Sequence, residues 1–290
     1  GTGSGKTECF LIPVLDHCLR NNKKAGVKVI ILYPMNALAF DQARRIAEIV
    51  NAYPELRDQV TAGILVGEDR DAGEKRTTHK AMGSDHIIDD RKTIIKNPPD
   101  ILLTNYKMLD LLLMKPEFKD LWNGATGEDS SMQYLVLDEM HTYDGAQGSD
   151  VSLLIRRLKA KLQISNEKIS CVGTSATLLS GLEGSEVLRK FAGRLFGVGF
   201  DKDSIIKESR ETIDEVFFGV STSFKDIPND SDELEFKGDV SLDEYALKQS
   251  ALWFKGSASG SNDLGQKILS HSLAKDLLEA KDINAIEAQT

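Results

Sequence analysis

Residues 134–141 read Tyr134-Leu135-Val136-Leu137-Asp138-Glu139-Met140-His141. A short apolar run that stops at two acids suits a strand buried on both faces, with the acids at its carboxyl end. The same kind of run recurs on either side. Residues 27–33 are apolar and β-branched between Gly26 and Pro34; residues 101–104 follow Pro98-Pro99; residues 169–173 form a further run, and residues 60–66 a weaker one. Helical stripes lie between these runs. They are Phe10, Leu11, Val14, Leu15 and Cys18; Leu38, Ile46, Ile49 and Val50; Val151, Leu154, Ile155, Leu158 and Leu162; and Val187, Leu188, Phe191, Leu195 and Phe196. Pro13 falls inside the first stripe and is expected to kink or weaken that helix. Strands alternating with helices predict an α/β sandwich around a mostly parallel sheet.

Upstream, Gly1-Thr2-Gly3-Ser4-Gly5-Lys6-Thr7 is nearly all of a P-loop, lacking only the first glycine of the pattern. Glycines let backbone N–H groups curl around a phosphate, and the helix that follows adds its positive end. Lys6 would reach the β- and γ-phosphates, the Thr7 hydroxyl would ligate Mg²⁺, and Glu8 continues the nucleotide-binding stretch. Read with this loop, Asp138 can hold Mg²⁺ through water and Glu139 can take a proton from the attacking water. The bland alternatives are a glycine-rich turn before a helix and an exposed acidic turn after a strand.

Asp138-Glu139-Met140-His141 makes a DExH box, and with it the chain resembles the first RecA-like lobe of superfamily 2 helicases. Further stretches match in order: Tyr33-Pro34-Met35-Asn36-Ala37-Leu38 with Asp41-Gln42; Leu103-Thr104-Asn105-Tyr106 with Met108-Leu109; and Gly173-Thr174-Ser175-Ala176-Thr177-Leu178. Residues 139–149 and Phe191-Ala192-Gly193-Arg194-Leu195-Phe196-Gly197 resemble a narrower group of large bacterial and archaeal DNA helicases, RecQ-like, Lhr-type and phage-defence enzymes among them.

The resemblance implies a RecA-like P-loop NTPase fold, a three-layer α/β/α sandwich. It implies ATP and Mg²⁺ as ligands and nucleic acid as partner, with DNA favoured over RNA by the subgroup alone. Pro34, Met35, Asn36, Ala37, Thr104 and Asn105 would lie along the nucleic-acid strand. The alternative for Asn36 is a helix cap, and Thr104 and Asn105 carry the same two readings. His141 would couple the nucleotide site to a second RecA-like lobe. Ser175, Ala176 and Thr177 would link hydrolysis to strand movement. Arg156, Arg157, Lys159 and Lys161 form either a basic patch or, as the plainer reading, a solvated helix face.

The chain has 36 Lys+Arg and 45 Asp+Glu, a net charge of −9. Residues 1–200 hold 26 of each sign, so the whole excess falls in residues 201–290, with 10 basic and 19 acidic groups. The negative average therefore does not speak against a nucleic-acid partner for the motif-bearing part. Residues 1–200 are expected to form the ATP-binding lobe, truncated inside its P-loop, and residues 201–290 an acidic connection towards a second lobe. That segment includes a possible capping box at Ser241 and Glu244, a flexible stretch at residues 255–262, and a last helix carrying Leu264, Ile268, Leu269, Leu273 and Leu277. Residues 68–96, with 14 charged groups in 29, read as a surface insertion. No apolar run reaches membrane-spanning length. Three widely spaced cysteines fit neither a disulfide framework nor a zinc site, and suit a reducing cytosol. A DNA motor, an RNA motor, and a nucleotide-gated binding or scaffold module in a defence complex all remain open at this point.

Overall fold

The computed structural model describes residues 5–67, 78–127, 129–175, 181–206 and 242–254, with residues 267, 268, 270, 271 and 274. It divides into two compact units, Gly1–Ile206 and Lys207–Thr290.

The first unit is built on five parallel strands in the order β2-β3-β1-β4-β5. They are β1 (Val29–Leu32), β2 (Ala62–Leu65), β3 (Ile101–Thr104), β4 (Tyr134–Leu137) and β5 (Ser170–Gly173). Strands β1, β2 and β3 are buried at every position. That is why they read as continuous apolar runs and not as alternating ones. One face of the sheet packs on α1 (Lys6–Arg20) and α2 (Asn36–Ala52) through Phe10, Leu11, Val14, Ile46 and Val50. The other packs on α4 (Tyr106–Met114), α5 (Gly145–Leu162) and α6 (Gly181–Phe196) through Leu109, Leu112, Leu154, Leu158 and Phe196. The result is the three-layer α/β/α sandwich expected of a RecA-like lobe. No helix among the described residues is long and apolar enough to cross a membrane.

Helix α1 continues through Pro13, which lies on its exposed side. Three local features depart from the expectations. Residues 78–96 are more than a surface insertion. Ile88 bridges Gly63 of the edge strand β2, and Ile87, Ile88 and Ile94 are buried, Ile94 from the short helix α3 (Arg91–Lys96). This segment covers the β2 side of the sheet, whereas β5, the outermost strand on the other side among the described residues, has no buried residue. Val187 is exposed and not part of the α6 core stripe. Of the four basic residues of α5, Arg156, Arg157 and Lys161 are exposed, as the plainer reading has it, and Lys159 departs from it. Lys159 is buried and donates to the Phe196 carbonyl at 2.8 Å and to Asn166 Oδ1 at 2.9 Å. Lys161 donates to the Leu113 carbonyl at 2.8 Å, Arg157 pairs with Asp110, and Arg156 donates to Ser152. Arg157, Lys159 and Lys161 thereby fasten α5 to α4 and to the end of α6.

At the amino end of the strands, Lys28 forms a buried ion pair with Asp100. Asp100 Oδ2 also accepts from the Thr61 amide at 2.7 Å and the Thr61 hydroxyl at 2.9 Å. These bonds join the start of β1 to the starts of β3 and β2.

In the second unit, α7 (Leu242–Phe254) buries Gln249, Ser250 and Phe254. The Trp253 ring meets His271 edge-on at 5.4 Å. Ile268 is 47% exposed, against its expected place in an apolar stripe. Ser241, the 255–262 stretch and the remaining leucines of that stripe lie outside the described residues.

Candidate nucleotide-binding site

The strand ladder ends on one row: Leu65, Thr104, Leu32, Leu137 and Gly173 are neighbours in register. The next residues along the carboxyl rim are therefore Val66, Asn105, Tyr33, Asp138 and Thr174. Backbone bonds continue the row, from Tyr33 N to Thr104 O (2.9 Å), Asp138 N to Leu32 O (2.9 Å) and Thr174 N to Leu137 O (3.0 Å). Ligand sites of parallel α/β sheets gather at this rim, where loops leave the strands.

Asp138 is 7% exposed and its Oδ1 accepts a hydrogen bond from the Thr174 hydroxyl. The same hydroxyl oxygen accepts from the Glu139 amide at 3.0 Å, and the Thr174 carbonyl accepts from the Met140 amide at 2.8 Å. Thr174 thus clamps the turn. It has to, because Glu139 sits in the left-handed region at φ 48°, ψ 47°, which costs a non-glycine residue about 1–2 kcal/mol. Gly173 leaves room for Met140, since a Cβ there would meet the Met140 sulfur at 2.3 Å. In the sequence Thr174 stands out only as one residue of the stretch 173–178. Its role follows from the β4–β5 register, which puts it beside Asp138.

Burial pushes the Asp138 carboxyl above its ordinary range. Neighbouring Glu139 adds to the rise, while the Thr174 bond and the Lys6 charge oppose it. The Lys6 ammonium donates to the Ser175 carbonyl at 3.3 Å. His141 Nδ1 lies 3.3 Å from the Ser175 hydroxyl and 3.3 Å from Glu139 Oε2. The His141–Glu139 contact is out of line for a hydrogen bond, since Glu139 Oε2 is buried without such a partner. Lys6, Asp138, Glu139, His141 and Ser175 are therefore brought together. Gly5 caps α1 in the left-handed conformation at φ 70°, and Thr7 follows in the first turn. The Glu8 carboxylate is directed to Arg45 of α2, so it ties the two helices together. Gly1, Thr2, Gly3, Ser4, Ala176 and Thr177 lie outside the described residues.

The donor set fits a hard divalent cation with a phosphate ligand. It offers a desolvated carboxylate with one oxygen committed to Thr174, a second carboxylate whose buried oxygen has no hydrogen bond, and an ammonium, with Thr7 next to that lysine in the chain. Mg²⁺ is held by one or two carboxylates plus substrate oxygens and water. No cluster of three or more His, Cys, Asp or Glu ligands is present among the described residues.

Along the rim from Asp138, the residues expected at a nucleic-acid strand also gather. Asn105 donates through Nδ2 to Asn36 Oδ1 at 2.8 Å, and its own Oδ1 caps α4 by accepting from the Met108 amide at 2.7 Å. Met35 and Ala37 are exposed, and Pro34 is half-buried. Thr104 does not join them. It is fully buried and its hydroxyl donates to the Leu65 carbonyl at 2.5 Å, so it supports the rim from below.

The DEAD/DEAH box helicase pattern matches residues 1–183. The chain belongs to this helicase family. Among its relatives, it is 26% identical to the Druantia protein DruE of Escherichia coli strain UMEA 4076-1, over 73% of this chain and 16% of that protein. It is 28% identical to the ATP-dependent helicase Lhr-Core of Methanothermobacter thermautotrophicus, over 54% of this chain and 17% of that protein. A solved structure of the DUF1998 helicase MrfA bound to DNA and AMPPNP is 26% identical over 68% of this chain and 23% of its own, with a TM-score of 0.49. The chain thus spans less than a quarter of the length of these three relatives.

Proposed function

We propose that the chain is the ATP-binding lobe of an ATP-dependent helicase or translocase that moves on DNA. The observation that carries the reading is the continuous rim from Lys6 and Ser175, through Thr174, Asp138 and Glu139, to the Asn105–Asn36 pair. Nucleotide chemistry and strand contact are held by neighbouring strands of one rigid sheet. DNA as the track rests on the likeness of residues 139–149 to DNA helicases.

In this reading Lys6 exchanges the Ser175 carbonyl for a phosphate oxygen. That exchange frees the Ser175 carbonyl whenever nucleotide binds, and so reports occupancy to Ser175 and His141. Asp138 is the anionic group for Mg²⁺, aided by the Thr7 hydroxyl; when bound, the metal neutralises charge on the β- and γ-phosphate oxygens. Glu139, held by the left-handed turn, orients the attacking water and takes its proton. Asn36 and Asn105, with the amides at the starts of α2 and α4, hold strand phosphates. A second RecA-like lobe completes the site across this rim.

The test is steady-state ATP turnover of the full polypeptide with and without single-stranded oligonucleotide. Turnover stimulated by DNA, and abolished by Glu139→Gln and Lys6→Ala, is the expected result. Stimulation by RNA alone would reassign the track. Turnover unchanged in Glu139→Gln would make the lobe a nucleotide-gated binding module.

A further inference from the structure

The first turn of α1 carries an acid. Glu8 follows Lys6 and Thr7, and the helix bond from Cys9 N to the Gly5 carbonyl, at 3.2 Å, comes only after it. Amides of a first turn have no partner within their helix, and they are what a phosphate binds. A carboxylate placed as Glu8 is, three residues past the N-cap Gly5, is their competitor. It ordinarily folds back and caps the helix end itself. Its charge also offsets the positive helix end that draws an anion.

In this chain the Glu8 carboxylate is turned away from that end. Its Oε1 pairs with Nη2 of Arg45 on α2, and its Oε2 is buried and accepts no hydrogen bond among the described residues. It therefore caps no described amide of α1. Lys6 does not compensate it, because the Lys6 ammonium is held at the Ser175 carbonyl. Arg45 is the cation paired with Glu8 among the described residues. The Arg45 and Glu8 side chains are 43% and 38% exposed, and an ion pair so open to water contributes little to folding. Its consequence comes when a third charge, a triphosphate, arrives at the same helix end.

We propose that Arg45 is a positioning residue for the nucleotide: it holds the Glu8 carboxylate off the amino end of α1 and neutralises it, which leaves the first-turn amides to the phosphates. The inference rests on the helicase reading above. Arg45 acts through Glu8. The charge that clears the phosphate seat is thus carried by α2, the helix that opens with Asn36. Without Arg45 the Glu8 carboxylate returns to the helix end, and an incoming nucleotide must displace it. That cost falls on binding. The step from bound nucleotide to products is spared, because the carboxylate is displaced in the ground state and the transition state alike.

The experiment measures the Kd of a fluorescent ADP analogue with Mg²⁺, and KM and kcat for ATP, on the full polypeptide. Arg45→Met should weaken binding about 3–30-fold, the range over which one charge acts at a helix end. KM should rise to match, with kcat within about twofold of wild type. Arg45→Lys keeps the cation and should bind as wild type does. Glu8→Ala removes the competitor and should bind at least as tightly as wild type. Adding Glu8→Ala to Arg45→Met should recover the affinity lost in Arg45→Met, the non-additivity expected of residues in contact. Wild-type affinity in Arg45→Met overturns the inference alone. So does a double variant as weak as Arg45→Met, and so does equal weakening by Glu8→Ala and Arg45→Met, since a mere strap between α1 and α2 is broken alike by either. A fall in kcat with unchanged affinity overturns it too. A wild-type protein that binds no nucleotide overturns the inference together with the helicase reading.

Discussion

Replacing Thr174 with Val is the most incisive perturbation of the site. The change preserves shape and β-branching and removes one oxygen, at a position only 8% exposed. That oxygen makes two bonds, one donated to the Asp138 carboxylate and one accepted from the Glu139 amide at 3.0 Å. A bond to a charged group contributes about 1.5–3 kcal/mol, and a buried amide left unpaired costs about 1–3 kcal/mol. Relaxation of Glu139 out of its left-handed conformation returns about 1–2 kcal/mol of this. The net loss is therefore about 1.5–4 kcal/mol of stability, which lowers the melting temperature by roughly 3–16 °C in a chain of this size. The same relaxation moves the Glu139 carboxylate away from the attacking water. Turnover should fall about 10–100-fold, or about 1.4–2.7 kcal/mol in the barrier, with a smaller change in KM for ATP. Thr174→Ser retains the hydroxyl and should recover most of both losses. The assays are a thermal melt and steady-state ATP hydrolysis on the full polypeptide. If Thr174→Val turns over within twofold of wild type, or if Ser and Val behave alike, the clamp is not what holds the turn.

Three further outcomes are expected. Lys28→Met, which strands the buried Asp100 carboxylate, should destabilise by about 3–5 kcal/mol; adding Asp100→Asn keeps an acceptor for Thr61 and should restore most of that, so urea titrations showing additive losses would exclude the buried pair. Asp138→Asn should raise the melting temperature at about pH 7 while abolishing turnover. The raised Asp138 carboxyl penalises the folded state above its shifted range, and the penalty disappears as acid protonates it in both states, so the gain should vanish towards pH 3; a gain of equal size at both pH values would refute the assignment. Asn105→Ala should weaken single-stranded DNA binding and also lower stability by about 1 kcal/mol, the value of a lost helix cap, as read by fluorescence anisotropy and melting; a stability loss with unchanged DNA affinity would leave Asn105 a cap alone.

The sheet was legible because each strand announces itself as an unbroken apolar run between breakers, as at Val29–Leu32 and Tyr134–Leu137. The acids of the DExH box were legible because they interrupt such a run. Register was not legible. Nothing in residues 170–174 says that Thr174 stands beside Asp138 rather than one step away, since continuous apolar strands carry no alternation to fix the pairing. Thr104 was misplaced for a related reason: the last residue of a strand and the first of its loop look alike in sequence, but only Asn105 emerges at the rim. The anchoring of two basic residues of α5 was hidden for a different reason. Their spacing on the helix was readable, yet Lys159 and Lys161 are anchored by carbonyls of α6 and α4, and backbone acceptors leave no mark in a sequence.

The two edges of the sheet are treated unequally, and this bears on how the lobe behaves in a tube. At β2 the segment carrying Ile88 lies over the outer hydrogen-bonding row. At β5, the outermost strand on the other side among the described residues, Ser170 and Gly173 are exposed, in a strand that lacks Pro and inward charge, the usual deterrents to pairing with a second copy. Self-association of the isolated lobe should therefore begin at β5, grow with concentration in light scattering, and be suppressed by a lysine at Ser170. Preparations that cloud on concentration would then owe it to a sheet edge, with the core intact and the nucleotide rim still able to bind.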